Sequence, residues 1–166
     1  MSRAFVKEPE GDQAEEELPE RPQSSNPNYI TPAGLTRLHE RIEALRGREQ
    51  VLAASADALS AKNELSSLRA ELRYLEKRVQ AAIPVDPAAQ AGDEIRFGAT
   101  VEVEDETGQR HVFTVVGEDE ADPDAGRVSW VSPLGRALLN RRVGDVVQWQ
   151  RPAGDLELEI LSFSYG

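Results

Sequence analysis

The chain has 166 residues, enough for one ordinary domain or two small ones, with 39% hydrophobic residues and a formal net charge of −11. It contains no cysteine, which excludes disulfides and thiolate metal sites, and no apolar run of roughly 18 residues that could cross a membrane. Its first residues lack the apolar core of a signal peptide, so we expect a cytoplasmic protein that does not bind membranes.

Charge is distributed unevenly along the chain. Residues 1–28 hold seven acids and three bases, residues 29–86 eight acids and nine bases, and residues 87–166 fifteen acids and seven bases. Proteins that bind duplex DNA need a basic surface to neutralise phosphates, and no basic stripe is present. We therefore expect no direct sequence-specific binding of nucleic acid, and a protein partner with basic surfaces fits better.

Residues 1–28 are predicted to form a disordered acidic tail. The stretch is rich in Glu, Pro, Gln and Ser and has almost no large apolar side chain. Such a segment cannot bury enough apolar surface to offset the entropy lost on ordering, so a solvated tail is expected.

Residues 29–86 are predicted to form two helices. Thr31 and Pro32 are a typical helix start, because a hydroxyl caps free N–H groups and proline fits the first helical position. Apolar residues then recur at alternating spacings of three and four, the heptad pattern of a coiled coil. The first series is Leu35, Leu38, Ile42, Leu45 and Leu52, interrupted by Glu49, and the second is Ala58, Ala61, Leu65, Leu68, Leu72, Leu75, Val79 and Ala82. We predict helices over 32–53 and 57–83, the second ended by Pro84 and Pro87.

The two apolar series also predict how the helices pair. Facing residues of an antiparallel hairpin have position numbers with a constant total, and 35 with 75, 42 with 68 and 49 with 61 all total 110. This register centres a tight turn near Ser55, with a tip formed by Ala53, Ala54, Ser55, Ala56 and Asp57. A single long helix that dimerises is the alternative; the small residues at the symmetry centre favour the hairpin, and we expect a monomer.

Residues 87–166 are predicted to form an antiparallel sheet of about five strands with one short helix, which makes the chain an α+β protein. The helix covers Pro133–Asn140 and has Ser132 as its N-cap. Trp130 and Trp149 are expected to anchor the core. The strands are Phe97–Glu104, Arg110–Val116, Val128–Val131, Val146–Gln150 and Leu156–Phe163.

No arrangement of residues indicates an enzyme, and we predict no catalytic residue, no cofactor and no metal site. The acidic stretch Glu118–Asp124 could ligate Ca²⁺ through oxygen, but it lacks the spacing of an EF-hand, and a solvated hairpin loop is the better interpretation. His39 and His111 have no partners at the spacing of a catalytic triad or a metal site.

One segment has the character of a docking surface. Ser132, Pro133 and Leu134 lie at a helix N-terminus, followed by Gly135, and an exposed apolar residue beside free N–H groups suits protein binding. An ordinary capped helix covering one face of the sheet explains the same residues, and both interpretations can hold.

These residues resemble the GreA/GreB family. The matching blocks are FGAT at 97–100, GEDEAD at 117–122, SPLGRALL at 132–139 and VGD at 143–145, and YITPAGLTRL at 29–38 is similar to the family's first helix. The resemblance implies a coiled-coil hairpin followed by an FKBP-like domain. It implies a bacterial RNA polymerase partner, with Ser132, Pro133, Leu134 and Gly135 docking at the rim of the secondary channel and the hairpin entering it.

The hairpin tip departs from the family pattern. Members that stimulate transcript cleavage have two acids in a motif similar to DLSEN, which help hold a second Mg²⁺ in the polymerase active site. Here Val51 and Ala54 occupy the acid positions, and Asp57 is a single, weak candidate ligand. The hairpin is also short by roughly one heptad per arm, or about 10 Å of reach.

We therefore expect a regulator that binds RNA polymerase without strong cleavage stimulation, any cleavage being performed by the polymerase. One alternative is a prolyl isomerase or chaperone, which would need an aromatic-lined pocket. Another is a competitor of other factors for the secondary channel. The sequence leaves both open.

Overall fold

The computed structural model describes residues 17–55 and 59–166. A two-helix hairpin is followed by a five-stranded sheet with one short helix, so the predicted fold class is confirmed. The elements in chain order are β1 (Asn28–Ile30), α1 (Pro32–Ala54), α2 (Leu59–Gln80), β2 (Ala82–Pro84), β3 (Thr100–Asp105), β4 (Arg110–Val116), β5 (Arg127–Ser129), α3 (Pro133–Leu138), β6 (Val146–Trp149) and β7 (Leu156–Ser164). No helix in these two ranges is both long and apolar enough to cross a bilayer.

The first helix begins as the sequence predicts. The Thr31 hydroxyl oxygen accepts a hydrogen bond from the Gly34 N–H at 3.1 Å, and Pro32 occupies the first turn. The helix ends at Ala54, one residue beyond the prediction, where the Ser55 N–H donates to the Leu52 carbonyl. At 1.5 Å per residue, its 23 residues extend about 35 Å.

An apolar seam holds the hairpin together. Its buried members all belong to the two predicted heptad series: Ile42, Leu45, Leu52, Leu65, Leu68 and Leu72. Ion pairs such as Arg41–Glu71 at 2.9 Å and Arg48–Glu64 at 2.8 Å flank the seam, with side chains that are half exposed. Exposed pairs of this kind contribute about 0–1 kcal/mol each, whereas each buried leucine contributes roughly 1.5–3 kcal/mol. The leucines therefore determine the register.

The base of the hairpin differs from the prediction. The second helix ends at Gln80 instead of residue 83, and β2 then pairs in parallel with β1, Asn28 facing Ala82 and Ile30 facing Pro84. Pro84 explains the change, because a residue before proline is disfavoured in helical conformation and favoured in extended conformation. The Val85 N–H continues this pairing by donating to the Ile30 carbonyl at 2.8 Å.

The predicted tail also differs at its C-terminal end. Asn28 is 4% exposed and begins β1, and Leu18, Glu20 and Gln23 contact α2. Composition suggested a solvated segment through residue 28, but specific polar contacts to the hairpin compensate for the lack of apolar side chains. The rest of the predicted tail, residues 1–16, lies outside the described residues.

The C-terminal sheet has the strand order β5-β4-β3-β7-β6 and is antiparallel except for the parallel pair of β4 and β5. The loop 117–126 makes this parallel return possible, since it crosses from one end of β4 to the other. A bulge opposite Glu102 and Val103 leaves Leu161 unpaired in β7. The bulge explains why the apolar alternation of β7 shifts phase after Ile160.

Helix α3 covers the sheet. Leu134 and Leu138 insert into a buried cluster formed mainly by strand residues: Ile95, Ala99, Val101, Val103, Phe113, Val115, Val147, Leu158 and Ile160. The helix stops at Leu138, two residues earlier than predicted, because Asn140 adopts a left-handed conformation with φ of 65°. Trp130 and Trp149 pack against this cluster, as expected of core anchors, but they lie at its margin and are partly exposed.

Candidate functional site

The hairpin and the sheet domain meet at a polar junction. The loop after β4 contributes Asp119 and Glu120, and the base of the hairpin contributes Asn28, Thr31 and Arg78. We call these five residues the latch. They come from three separate stretches of the chain, so the latch joins the two structural units.

Arg78 is the central cation of the latch. It lies at the last turn of α2 and is only 2% exposed. Its Nε donates to Asp119 Oδ2 at 2.8 Å and its Nη2 to Asn28 Oδ1 at 2.6 Å. Glu118 Oε2 is 3.7 Å from Nη2, too far for a hydrogen bond but within reach of an ion pair. A buried guanidinium is tolerated only when it is paired in this way.

Asn28 closes the same network from the other side. Its side-chain nitrogen donates to the Arg78 carbonyl oxygen at 2.7 Å, while its side-chain oxygen accepts from the Arg78 guanidinium. This reciprocal pair satisfies a backbone carbonyl that the end of α2 would otherwise leave free. It also fixes β1 against the end of the helix.

Glu120 caps α1 from the sheet domain. Its carboxylate is 5% exposed and accepts hydrogen bonds from the Thr31 N–H at 3.1 Å, the Gly117 N–H at 2.9 Å and the Thr31 hydroxyl. The Arg37 guanidinium lies 3.5 Å away. A negative charge at a helix N-terminus interacts favourably with the helix dipole, and here it also satisfies free backbone donors.

Two glycines allow the latch to close. A Cβ atom at Gly34 would lie 2.2 Å from Glu120 Oε1, and one at Gly117 would lie 2.2 Å from the Tyr29 carbonyl oxygen. Neither position has room for a larger residue. Gly34 is therefore required by the neighbouring carboxylate, although alanine is intrinsically the better helix former.

The acidic loop is not the solvated hairpin loop that we predicted. Glu118, Asp119 and Glu120 form a short 3₁₀ turn whose carboxylates point towards the hairpin, and Asp122 pairs with Arg127 at 3.2 Å. Within residues 17–55 and 59–166, no three acidic or histidine side chains converge as metal ligands. The sequence contained no signal for this role, because the partners Arg78 and Asp119 are 41 positions apart.

The predicted docking segment starts at the N-cap of α3. Ser132 Oγ accepts from the Gly135 N–H at 3.1 Å and donates to the Ser129 carbonyl at 2.6 Å. Pro133 is exposed, but Leu134 is 4% exposed and belongs to the core, so the expectation of an exposed apolar residue at 134 is wrong. A Cβ atom at Gly135 would lie 2.1 Å from the Ser129 carbonyl oxygen. Ser132 and Pro133 thus form the accessible part.

Aromatic side chains connect this segment with the hairpin. The Tyr29 ring of β1 makes an edge contact with Trp130 at 5.1 Å between centroids and a tilted contact with Phe97 at 6.1 Å. Phe113, Trp149 and His111 form a second group, and Phe163 with Tyr165 a third. The aromatic side chains thus form three separate groups, and the group around Tyr29 joins β1 to Trp130, which precedes the docking segment.

The described part of the tip presents apolar and small side chains. Val51 is 56% exposed and Leu59 74% exposed, and the predicted tip residues Ala53, Ala54 and Ser55 are exposed as well. Ser55 Oγ donates back to the Val51 carbonyl at 3.1 Å. The other two predicted tip residues, Ala56 and the candidate ligand Asp57, lie outside the described residues.

One partly buried acid–histidine pair lies apart from the latch. Asp105 Oδ2 is 2.9 Å from His111 Nε2, and Oδ1 accepts from Thr107 and from the Gln109 N–H in the turn between β3 and β4. The hydrogen bond from His111, followed by that from Thr107, holds the pKa of Asp105 well below its usual range. The network closes a tight turn and is structural.

Comparisons with known proteins identify relatives of this chain. The family model for the C-terminal part of the transcription elongation factors GreA/GreB matches residues 89–165. The chain is similar to transcription elongation factor GreB of Neisseria meningitidis serogroup B, with 36% identity over 153 residues, 83% of this chain and 94% of the relative. Transcription elongation factor GreA of Acidiphilium cryptum is 38% identical over 116 residues, covering 69% of this chain and 74% of the relative.

Among solved structures, GreA factor homolog 1 (Gfh1) of Thermus thermophilus is 30% identical and covers 83% of this chain and 99% of its own, with a TM-score of 0.41. The similarity to the relative from Neisseria meningitidis covers 83% of this chain, and the family model matches residues 89–165. The chain belongs to the GreA/GreB family of transcription elongation factors.

Proposed function

We propose that this protein binds bacterial RNA polymerase through its sheet domain and places its hairpin in the secondary channel, where it modulates elongation without strong stimulation of transcript cleavage. The factor itself is not an enzyme in this proposal. The observation that supports it is the apolar tip: Val51 and Ala54 are exposed at the end of α1, and the resemblance to the family matches them with the acid positions of cleavage factors.

The missing carboxylates decide the chemistry. Mg²⁺ is held by oxygen ligands, and carboxylates that bind it also neutralise its charge while it activates water. Val51 and Ala54 have no side-chain oxygen, and α1 has no acid in the four residues before Ser55. Asp57 is the one nearby acid in the sequence, and a single carboxylate binds Mg²⁺ weakly in water.

The latch supports delivery of the hairpin at a defined angle. Arg78 and Glu120 are both buried and hydrogen-bonded across the junction, so rotating the hairpin would break these bonds and leave buried charged groups without partners. The Tyr29–Trp130 contact joins the same base to the chain just before Ser132. A surface that docks at Ser132 and Pro133 would thereby orient the hairpin.

The test is a transcript-cleavage assay on stalled elongation complexes, with binding to polymerase measured in parallel. We expect binding without appreciable shortening of the RNA. Robust Mg²⁺-dependent shortening would contradict the proposal of a non-cleaving factor. Lack of binding would contradict the proposal that RNA polymerase is the partner.

A gain-of-function variant separates chemistry from reach. Val51→Asp with Ala54→Glu restores two acids at the tip while leaving the length of the hairpin unchanged. If cleavage appears in this variant, the missing acids alone explain the inactivity. If it appears only after each arm is also lengthened by one heptad, about 10 Å, reach is the second cause.

A further inference from the structure

An extended segment of the N-terminal region lies along one face of α2. Residues 18–24 form this segment, which we call the strap, and they contact α2 between Arg73 and Lys77. Glu20 pairs with Lys77 Nζ at 2.5 Å, the Arg21 guanidinium lies 4.1 Å from the centre of the Tyr74 ring, and the Leu18 carbonyl accepts from Arg73 at 3.4 Å. Gln23 also donates to the Tyr74 carbonyl at 3.3 Å.

The face under the strap is a coherent surface. Ala70, Arg73, Tyr74 and Lys77 are three or four positions apart and therefore lie on one side of the helix. They present two cations beside one aromatic ring. A carboxylate and a guanidinium in the strap match these groups through an ion pair and a cation–π contact.

The strap is preorganised but weakly held. Pro19 and Pro22 flank Glu20 and Arg21 and restrict the backbone, so docking costs little conformational entropy. The Lys77 and Glu20 side chains remain about half exposed, and ion pairs of that kind add little stability. These contacts suit reversible attachment better than permanent structure.

The strap covers a surface that the proposed function places inside the channel, so the role inferred for it rests on that proposed function. Ser24 donates to Glu118 Oε1 at 3.0 Å beside the latch, and Leu18 lies against Arg73, nearer the tip. The strap thus thickens the basal half of the hairpin on its lateral surface. A hairpin that enters a channel meets the channel walls with that surface.

We propose that the strap is an intramolecular cover, which competes with RNA polymerase for the face of α2 formed by Arg73, Tyr74 and Lys77. In the free protein the strap occupies this face. On binding, the strap is released and polymerase contacts replace it. The apparent affinity for polymerase is therefore lowered by the fraction of molecules in which the strap is attached.

The first part of the test examines the strap in the free, full-length protein. A zero-length carbodiimide reagent should couple Glu20 to Lys77, detectable by mass spectrometry as a linked pair of peptides. Lys77→Arg is the control, because it keeps the positive charge but removes the reactive amine. Failure to find the linked pair in the unaltered protein would overturn the proposal.

The second part measures affinity for polymerase. Glu20→Lys places a cation beside Lys77 and Arg73 and should release the strap, raising the affinity by about 3- to 10-fold if the strap is attached most of the time. Glu17→Lys makes the same change in charge at an exposed position for which the described residues provide no ion-pair partner, and should leave the affinity nearer that of the parent.

The outcomes separate the two proposals. An equal gain from Glu17→Lys and Glu20→Lys would indicate general electrostatics and overturn the cover. Equal affinities of the parent and Glu20→Lys for polymerase would contradict the proposal that the strap competes for this face, but would not contradict the proposed function. If neither protein binds polymerase, the proposed function fails and the competition fails with it.

Discussion

Arg78 and Asp119 are joined by a 2.8 Å hydrogen bond that connects the last turn of the hairpin to the acidic loop of the sheet domain. The guanidinium is almost fully buried, so its charge depends on this partner and on Asn28. The stability of the whole chain should consequently be sensitive to this one pair.

Replacing Arg78 with methionine should destabilise the protein strongly. The change leaves the buried Asn28 and the partly buried Asp119 without their guanidinium partner, which costs about 3–5 kcal/mol in comparable buried sites. The free energy of unfolding from urea titration measures the effect. Arg41→Met is the matched control, since its pair with Glu71 is half exposed and should cost at most about 1 kcal/mol. Equal losses from both variants would contradict the role of the latch.

Gly34→Ala should destabilise the protein although alanine favours helices. The added methyl group would collide with Glu120, whose carboxylate caps α1. Gly47→Ala is the control on the same helix, because a Cβ there meets nothing within 4 Å, and it should stabilise by about 0.5–1 kcal/mol.

The collision can be separated from helix propensity. In a Glu120→Ala background the carboxylate is absent, and Gly34→Ala should become neutral or stabilising. The double-mutant cycle, measured by thermal unfolding, gives the coupling directly. Additive effects of the two substitutions would show that the close approach of Gly34 and Glu120 has no energetic consequence.

The pair of Asp105 and His111 should make stability depend on pH in the acid range. The folded-state pKa of Asp105 lies below its value in the unfolded chain, so the ionised carboxylate stabilises the folded state above the unfolded pKa of about 4. That contribution is lost as pH falls from about 4 through the folded pKa. The difference in Tm between the parent and Asp105→Asn should be largest near neutral pH and shrink below about pH 4. A difference that is constant across this range would contradict the assignment.

Pro133→Ala should weaken binding to polymerase while preserving the fold. Pro133 is exposed at the start of α3, and its loss removes surface without opening the core. A pull-down together with the thermal unfolding curve checks both parts. Leu134→Ala is the contrasting variant, because it removes a buried side chain and should cost about 2–5 kcal/mol of stability. Unchanged binding by Pro133→Ala would count against the docking segment.

The hairpin could be predicted well because its determinants are periodic and local. The leucines of the two heptad series and the cap at Thr31 can each be recognised within a short stretch of sequence, and the structure confirms both. The strands of the sheet could be located for the same reason. The predicted helix and strand ends were wrong where a strand pairing was not predicted. At β2, residues 82–84 pair with β1 instead of extending α2.

The junction could not be predicted, because its contacts connect residues distant in sequence. Glu120 resembles any acid in a polar loop until Thr31, 89 positions away, is placed beside it. The burial of Leu134 was missed for a related reason, since a three-residue window around a helix start does not reveal which side faces the sheet. The roles of Ser132, Pro133 and the tip stay predictions until binding is measured.

The position of Glu120 in the sequence also affects how the protein folds during its synthesis. The N-terminus of α1 obtains part of its hydrogen bonding from a residue synthesised 89 positions later. On the ribosome, the hairpin therefore emerges with its first turn incompletely capped, and Arg78 emerges before Asp119 exists to neutralise it. The hairpin can assume its final orientation only after the fourth strand has been translated. Chains truncated before residue 117 should retain a helical hairpin with a frayed base, which hydrogen exchange at residues 31–35 would show.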